Sequence, residues 1–172
     1  MALTKINNNT LSAVSELPSG ISGQNYPAFE AYGSADQTSV SDNVYTKVQY
    51  NTEVFDTDSM YDNSTNYRFT PTVAGKYFVY AKLNVRSEAG YKLFSSNIAI
   101  QKNGSTYKSE NHVEQASSNF PNVRTFFIGA NIEFNGSTDY VETFARANVT
   151  SGTVEIEIAS AKGIFGAYRI GD

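Results

Sequence analysis

The 172-residue chain contains no cysteine. Neither a disulfide framework nor a thiolate metal site can be built from it. Charge is also scarce, with Asp, Glu, Lys and Arg making up 17% of residues. The net charge is −4 and no basic run exists, which argues against a nucleic-acid partner held through its phosphates. No apolar run approaches about 18 residues, so no membrane-spanning helix is expected. The N-terminal MALTKINNNT lacks the apolar stretch of a signal peptide, and synthesis in a cytoplasm is expected. There is one histidine, His112, and no Ser-His-Asp order can be defended from it. No serine has a nucleophile-elbow context, and no Gly-rich phosphate loop is present. The chain is therefore expected to be no enzyme, with no catalytic residue and no cofactor.

What is abundant is aromatic: 12 Tyr and 11 Phe, with Asn, Ser and Thr at the polar positions. That mix favours strands over long helices. The length suits one domain with a real core.

The chain is organised around Tyr50 to Leu83. Asn66 to Thr70 reads as the end of a strand, and Pro71, Ala74 and Gly75 supply a turn. Lys76 to Val85 alternates as a long strand. Tyr77, Val79, Ala81, Leu83 and Val85 fall on one face, and Phe78, Tyr80, Lys82 and Asn84 on the other. Phe78 and Tyr80 would be expensive facing water, so that second face is expected to be covered too.

Further strands are expected at Pro27 to Gly33, Val44 to Tyr50, Tyr91 to Gln101, Thr106 to Gln115, Val123 to Phe134, Asp139 to Asn148, Val154 to Ala159 and Ile164 to Ile170. Asp36 to Asn43 reads as a polar loop, and Glu53 to Asp62 as an acidic one. Asn103-Gly104 is a strong hairpin turn because both positions accept positive φ. In Val154 to Ala159, Val154, Ile156 and Ile158 point inward, and Glu155 and Glu157 outward. About ten strands, with turn signals roughly every 8–12 residues, describe an all-β sandwich or jelly roll.

Tyr50, Asp56, Tyr61, Phe69, Gly75 and Tyr77 resemble the signature of the C1q-like domain, the globular head of the complement and tumour-necrosis-factor-like (TNF-like) jelly rolls. The spacing Phe69 to Gly75 to Tyr77 is intact. The gap from Tyr61 to Phe69 is one residue longer than in the family, and Val79 and Ala81 replace expected aromatics. Ile132 to Phe144 resembles the family's penultimate hairpin, and Phe165-Gly166-x-Tyr168 its terminal strand. The resemblance covers roughly Pro27 to Ile170 and implies a compact homotrimer packed around a three-fold axis.

The residues support a trimer on their own terms. Phe126, Ile128, Ala130, Ile132 and Phe134 share a face, with Phe127 opposite. Ile164, Tyr168 and Ile170 share another, with Phe165 opposite. Strands apolar on both sides ask for cover on both, worth roughly 1.5–3 kcal/mol per buried side chain. The expected axis-facing set is Phe78, Tyr80, Phe127, Ile164 and Tyr168. The alternative is that these are core residues whose register a bulge has shifted.

Residues 1–25 form a polar segment too poor in apolar groups to fold alone, ahead of a domain over 26–172. Leu11, Val14 and Leu17, after a Thr10 cap, suit a short helix ending before Pro18. The segment resembles the start of small phage virion proteins, which implies an arm docking the domain onto other virion proteins through those three residues.

Glu53, Asp56, Asp58 and Asp62 could coordinate a hard cation such as calcium, but the EF-hand spacing is absent and Asp56 suits a loop cap, so no metal site is expected. Tyr45, Tyr67, Tyr107 and Phe120 are candidates for stacking on a cell-surface glycan, against the reading of tyrosine as an ordinary strand residue with a wet end. Glu155 and Glu157 fit an exposed strand better than a glycosidase cleft. The expected function is a homotrimeric module on a phage virion, as head decoration, fibre tip or collar component. The alternative is a carbohydrate-binding adhesin recognising a host surface glycan.

Overall fold

The structure, a computed structural model, describes residues 25–115 and 120–171. Thirteen strands run in order: β1 Ala28–Tyr32, β2 Gln37–Val40, β3 Thr46–Lys47, β4 Thr52–Asp56, β5 Tyr61–Asp62, β6 Arg68–Phe69, β7 Gly75–Ser87, β8 Leu93–Lys102, β9 Ser105–Val113, β10 Val123–Phe134, β11 Val141–Val149, β12 Val154–Glu157 and β13 Ile164–Gly171. A 3₁₀ turn, Ser160–Lys162, joins β12 to β13. Among the described residues no helix is long and apolar enough to cross a membrane.

Two sheets face each other. The seven-stranded one has the order β2-β12-β7-β13-β1-β4, with β10 on the other side of β7. The six-stranded one has the order β5-β6-β11-β8-β9, with β3 on β11. The long strand β7 is the spine. It pairs with β10 along its length, from Val123 opposite Arg86 to Phe134 opposite Gly75, and with β12 and β13 on its other side. Its inner set, Tyr77, Val79, Ala81, Leu83 and Val85, is fully buried. Phe126, Ile128, Ile132 and Phe134 of β10 join the same core, so the expected faces of both strands hold without a bulge.

The core is an aromatic stack. Phe29 lies 4.5 Å from Tyr61 and 4.6 Å from Phe69, ring centre to ring centre, while Phe165 meets Phe29 edge-on at 5.1 Å. Tyr50, Tyr61, Phe69 and Tyr77 of the C1q-like pattern belong to this stack, which is centred on Phe29, a residue outside the pattern. A buried tyrosine needs a partner for its hydroxyl. Tyr61 donates to the Tyr50 carbonyl at 2.9 Å, Tyr50 to that of Lys82 at 3.0 Å, and Tyr77 to that of Val73 at 2.8 Å. Burial pushes all three hydroxyls up, that of Tyr77 to about 12. Gly75, at φ +137°, sits where a Cβ would lie 2.4 Å from the Gly171 carbonyl oxygen, so only glycine fits. The Asn103-Gly104 hairpin has both residues at positive φ, 51° and 77°.

Some expectations fail at the edges. Asp36 to Asn43 is not all loop, because Gln37–Val40 pairs with β12 as an edge strand. Its one apolar residue, Val40, packs against the core, and a single such residue marks no alternation. Of Val44 to Tyr50 only Thr46–Lys47 is strand. Val48 instead gives its N–H to the Thr143 carbonyl at 2.9 Å. The expected acidic loop begins with the strand β4, paired along β1 with a register shift between Glu30 and Ala31. Backbone pairing on one side suffices to extend an edge strand, whatever its charge. Small edge strands of this kind raise the count from about ten to thirteen.

Asp56 and Asp62 of the acidic segment are spent on its own backbone. The Asp56 carboxylate accepts the Tyr61 N–H at 2.8 Å, so it caps its loop. Asp62 accepts the N–H groups of Thr65, Ser64 and Asn66 and the Asn66 side-chain amide. These bonds, the Thr65 N–H foremost, hold the Asp62 carboxyl far below its ordinary 3.8 despite some desolvation. A depressed carboxylate stabilises the fold above its unfolded pKa and loses that contribution as pH falls through the range below about 4. Asp62→Ala should cost on the order of 1 kcal/mol at pH 7. It should also lose less stability than the parent between pH 5 and pH 2, read as urea midpoints across that range. Equal acid losses in the two proteins would show that this loop does not set the acid limb.

Candidate interaction surface

The outer face of the seven-stranded sheet carries the second apolar set. Strand register places Glu30 of β1, Gly166 of β13, Tyr80 of β7 and Gly129 of β10 in one row across the sheet. The next row is Ala28, Tyr168, Phe78 and Asn131. Glycine in a strand interior often marks a place where something lies close on the backbone, and here that is an aromatic ring. A Cβ on Gly166 would come within 2.5 Å of Tyr80 Cζ and Oη, and one on Gly129 within 2.8 Å of Phe78 Cζ. Both rings therefore lie down over glycine.

The phenol of Tyr80 reaches across Gly166 and donates to the Glu30 carboxylate at 2.7 Å. Burial, then this bond to Glu30, raises the Tyr80 pKa well above 10. Phe78 and Tyr80 stack at 5.9 Å and 24°. Tyr168 packs 5.6 Å from Phe78 and 6.4 Å from Tyr80, and Phe127 stacks 6.4 Å from Tyr80. Four of the five expected residues thus form one continuous aromatic patch. Phe78, Tyr80 and Tyr168 are half-buried against each other, while Phe127 remains 60% exposed. The fifth, Ile164, stands one row along, beside Lys82. It lines a hollow of about 210 Å³ with Glu30, Tyr32, Val54 and Lys82.

Sequence reasoning did not single out Gly129 or Glu30, and it named Gly166 only within the terminal-strand resemblance. The signal available was glycine inside alternating strands. Val54 and Phe55 were also missed. They are adjacent on the edge strand β4 and 57% and 45% exposed.

The other candidates stand apart from this patch. Leu11, Val14 and Leu17 lie outside the described residues. Tyr45 is stacked by the Arg146 guanidinium at 4.9 Å. Tyr67 sits at φ 51° beside β6. Tyr107 is on strand β9 rather than a loop and donates to the Asn131 carbonyl at 3.0 Å. Phe120 meets Phe94 edge-on at 6.0 Å. Tyr45, Tyr107 and Phe120 are each engaged by a different neighbour. His112 is on the exposed edge strand β9, 5.3 Å from the Phe126 ring.

Glu155 points away from the core as expected but is not exposed. It is buried and ion-paired with Arg86, because β12 lies between β2 and β7 rather than at an edge. Glu157 also pairs with Arg86, at 3.3 Å, and with Lys162 at 3.3 Å. Their carboxylates and that of Asp36 lie within 4.8 Å of one another. Lys162 holds Asp36 at 2.7 Å, and Asp36 accepts the N–H groups of Ile158 and Ala159 at 2.8 Å. Burial raises the Asp36 carboxyl, but Lys162 and these backbone donors outweigh it and lower it overall. Two cations already neutralise most of the charge, and the arrangement is a clasp between β2, β7, β12 and the 3₁₀ turn.

No family model matches the chain, and no curated protein matches it. Solved structures do. Murine APRIL at pH 8.0 matches at TM-score 0.59 and 10% identity over 83% of this chain and 97% of that one. The globular domain of zebrafish complement 1qA matches at 0.55 and 14% identity, over 84% and 97%. Eiger TNF from S. frugiperda matches at 0.54 and 11% identity, over 84% and 91%. With two antiparallel sheets and an aromatic core built on the C1q-like pattern, this chain has the C1q/TNF-like jelly-roll fold.

Proposed function

We propose that the protein is a non-enzymatic structural and interaction module. It assembles as a homotrimer through the outer face of its seven-stranded sheet and is carried on a phage virion as a head decoration, fibre tip or collar component. Residues 1–25 are the arm that docks it onto other virion proteins, through Leu11, Val14 and Leu17. One observation carries the assembly: Phe78, Tyr80, Phe127 and Tyr168 form a continuous aromatic patch on the outside of the sandwich. Contiguous exposed apolar surface of that kind marks an interaction site. The similarity to TNF and complement 1q heads is consistent with this reading, and the composition of residues 1–25 supports the docking arm.

The test is the solution mass of the full chain beside a deletion of residues 1–25, by light scattering. Both should be trimers of equal thermal stability, and only the full chain should bind virions. A monomeric full chain would remove the assembly reading. A deletion that still attaches to the particle would remove the docking role of the arm.

A further inference from the structure

A three-fold axis joins a residue to its own copies only on the axis itself. Away from it each interface is heterologous, one surface of a protomer meeting a different surface of the next. If the outer sheet face makes a trimer, that face must therefore carry two unlike, complementary features, one towards each side.

The sheet has such a pair. On the β10 side Phe127 projects, 60% exposed. On the β4 side is the hollow of about 210 Å³ between Ile164, Tyr32 and Val54, with Lys82 and Glu30 in its wall. The two lie at one level, because register aligns Phe127 with Lys82 and Lys82 with Ile164. Rotation about an axis running along the strands carries a protomer round without changing that level. It brings the projecting ring of one copy to the height of the hollow in the next.

The sizes agree. A cavity of about 150 Å³ lined by apolar side chains admits benzene, so this one has room for a phenyl ring. The lining suits it as well. Ile164, Tyr32 and Val54 give apolar walls, and the Lys82 ammonium, tethered to the Ala161 carbonyl at 3.0 Å, offers a cation to the ring face.

We propose that Phe127 of one protomer seats in the hollow between Tyr32, Val54 and Ile164 of the next, making the contact that closes the ring of three. This rests on the trimer reading and adds its register.

Because the chain has no cysteine, engineered disulfides report the contact cleanly. Phe127 and Val54 stand on strands four spacings apart, about 19 Å at ~4.8 Å per strand. A disulfide needs Cα atoms within about 7 Å, so any bond between the two positions joins different protomers. The double variant Phe127→Cys/Val54→Cys, oxidised and run on a non-reducing gel, should give covalent dimer and trimer at least about five-fold above either single variant. Strong cross-linking of Phe127→Cys alone would place the Phe127 side chains together and overturn the proposal. Absence of cross-links in a double variant that light scattering still reads as a trimer would overturn it and leave the trimer standing. A monomeric parent chain would remove both.

A benzophenone side chain at position 127 keeps a ring there and provides a second readout. Its light-induced adduct should map by mass spectrometry to the peptides containing Tyr32 or Val54. An adduct within β10 would be contrary to the proposal.

Discussion

The double substitution Phe78→Ser/Tyr80→Ser is expected to leave a folded monomer in place of the proposed trimer. Both side chains lie on the outer face, while their neighbours Tyr77, Val79 and Ala81 carry the core. The sandwich should therefore survive, with an unchanged far-ultraviolet spectrum and a cooperative melt. Burying an aromatic side chain is worth roughly 1.5–3 kcal/mol, and a trimer would bury six of them. Because each ring is already half-covered within its own chain, roughly half of that remains to be gained. The loss is then on the order of 5–9 kcal/mol per trimer, or roughly four to six powers of ten in the assembly constant. Light scattering at micromolar concentration reads this directly. A variant that keeps the trimer mass would move the axis to another surface, whereas one that unfolds would show the outer rings to be part of the core.

The largest effect on folding is expected from Phe165→Ala. Phe165 is fully buried in β13 and touches three other rings: Phe29 at 5.1 Å, Tyr50 at 5.6 Å and Tyr61 at 5.7 Å. Its neighbours across the sheet are small, Ala81 on β7 and Ala31 on β1, so nothing beside it can swing in to fill the space. Phe-to-Ala changes in such cores cost about 3–5 kcal/mol. That is a large share of the roughly 5–15 kcal/mol by which a domain is stable. The urea midpoint should fall accordingly, with the slope unchanged. The measurement belongs in the monomeric Phe78→Ser/Tyr80→Ser background, where protomer concentration no longer contributes. As a control, Val44→Ala, at 51% exposure, should change stability by less than about 0.5 kcal/mol. A loss below about 1 kcal/mol at Phe165 would show that the aromatic stack relaxes around a hole.

Long strands were legible because period-two alternation runs far enough in them to be read. Val123–Phe134 has the bounds expected from its sequence, and Phe127 is opposite Phe126 as the alternation required. The small edge strands were not legible. Gln37–Val40 has a single apolar residue, Val40, and Thr52–Asp56 carries its apolar residues next to each other, at Val54 and Phe55. Glu155 misled because VEIEIA alternates as a strand with one wet face would. Its environment is set instead by Arg86 opposite it on β7.

The sequence by itself determined the all-β class, the two-faced character of β7 and β10, the tight Asn-Gly hairpin and the aromatic pattern that builds the core. All of these follow from local alternation or local turn chemistry, which short-range sterics enforce. Only the tertiary structure decided that Tyr80 reaches over Gly166 to Glu30, that Phe78 lies over Gly129, and that three carboxylates share two cations at the β12 clasp. Those arrangements join residues far apart in the chain, and their partners are chosen by sheet order and register. Register aligns an exposed phenylalanine with a hollow on the same face, and no local pattern in the chain encodes that alignment.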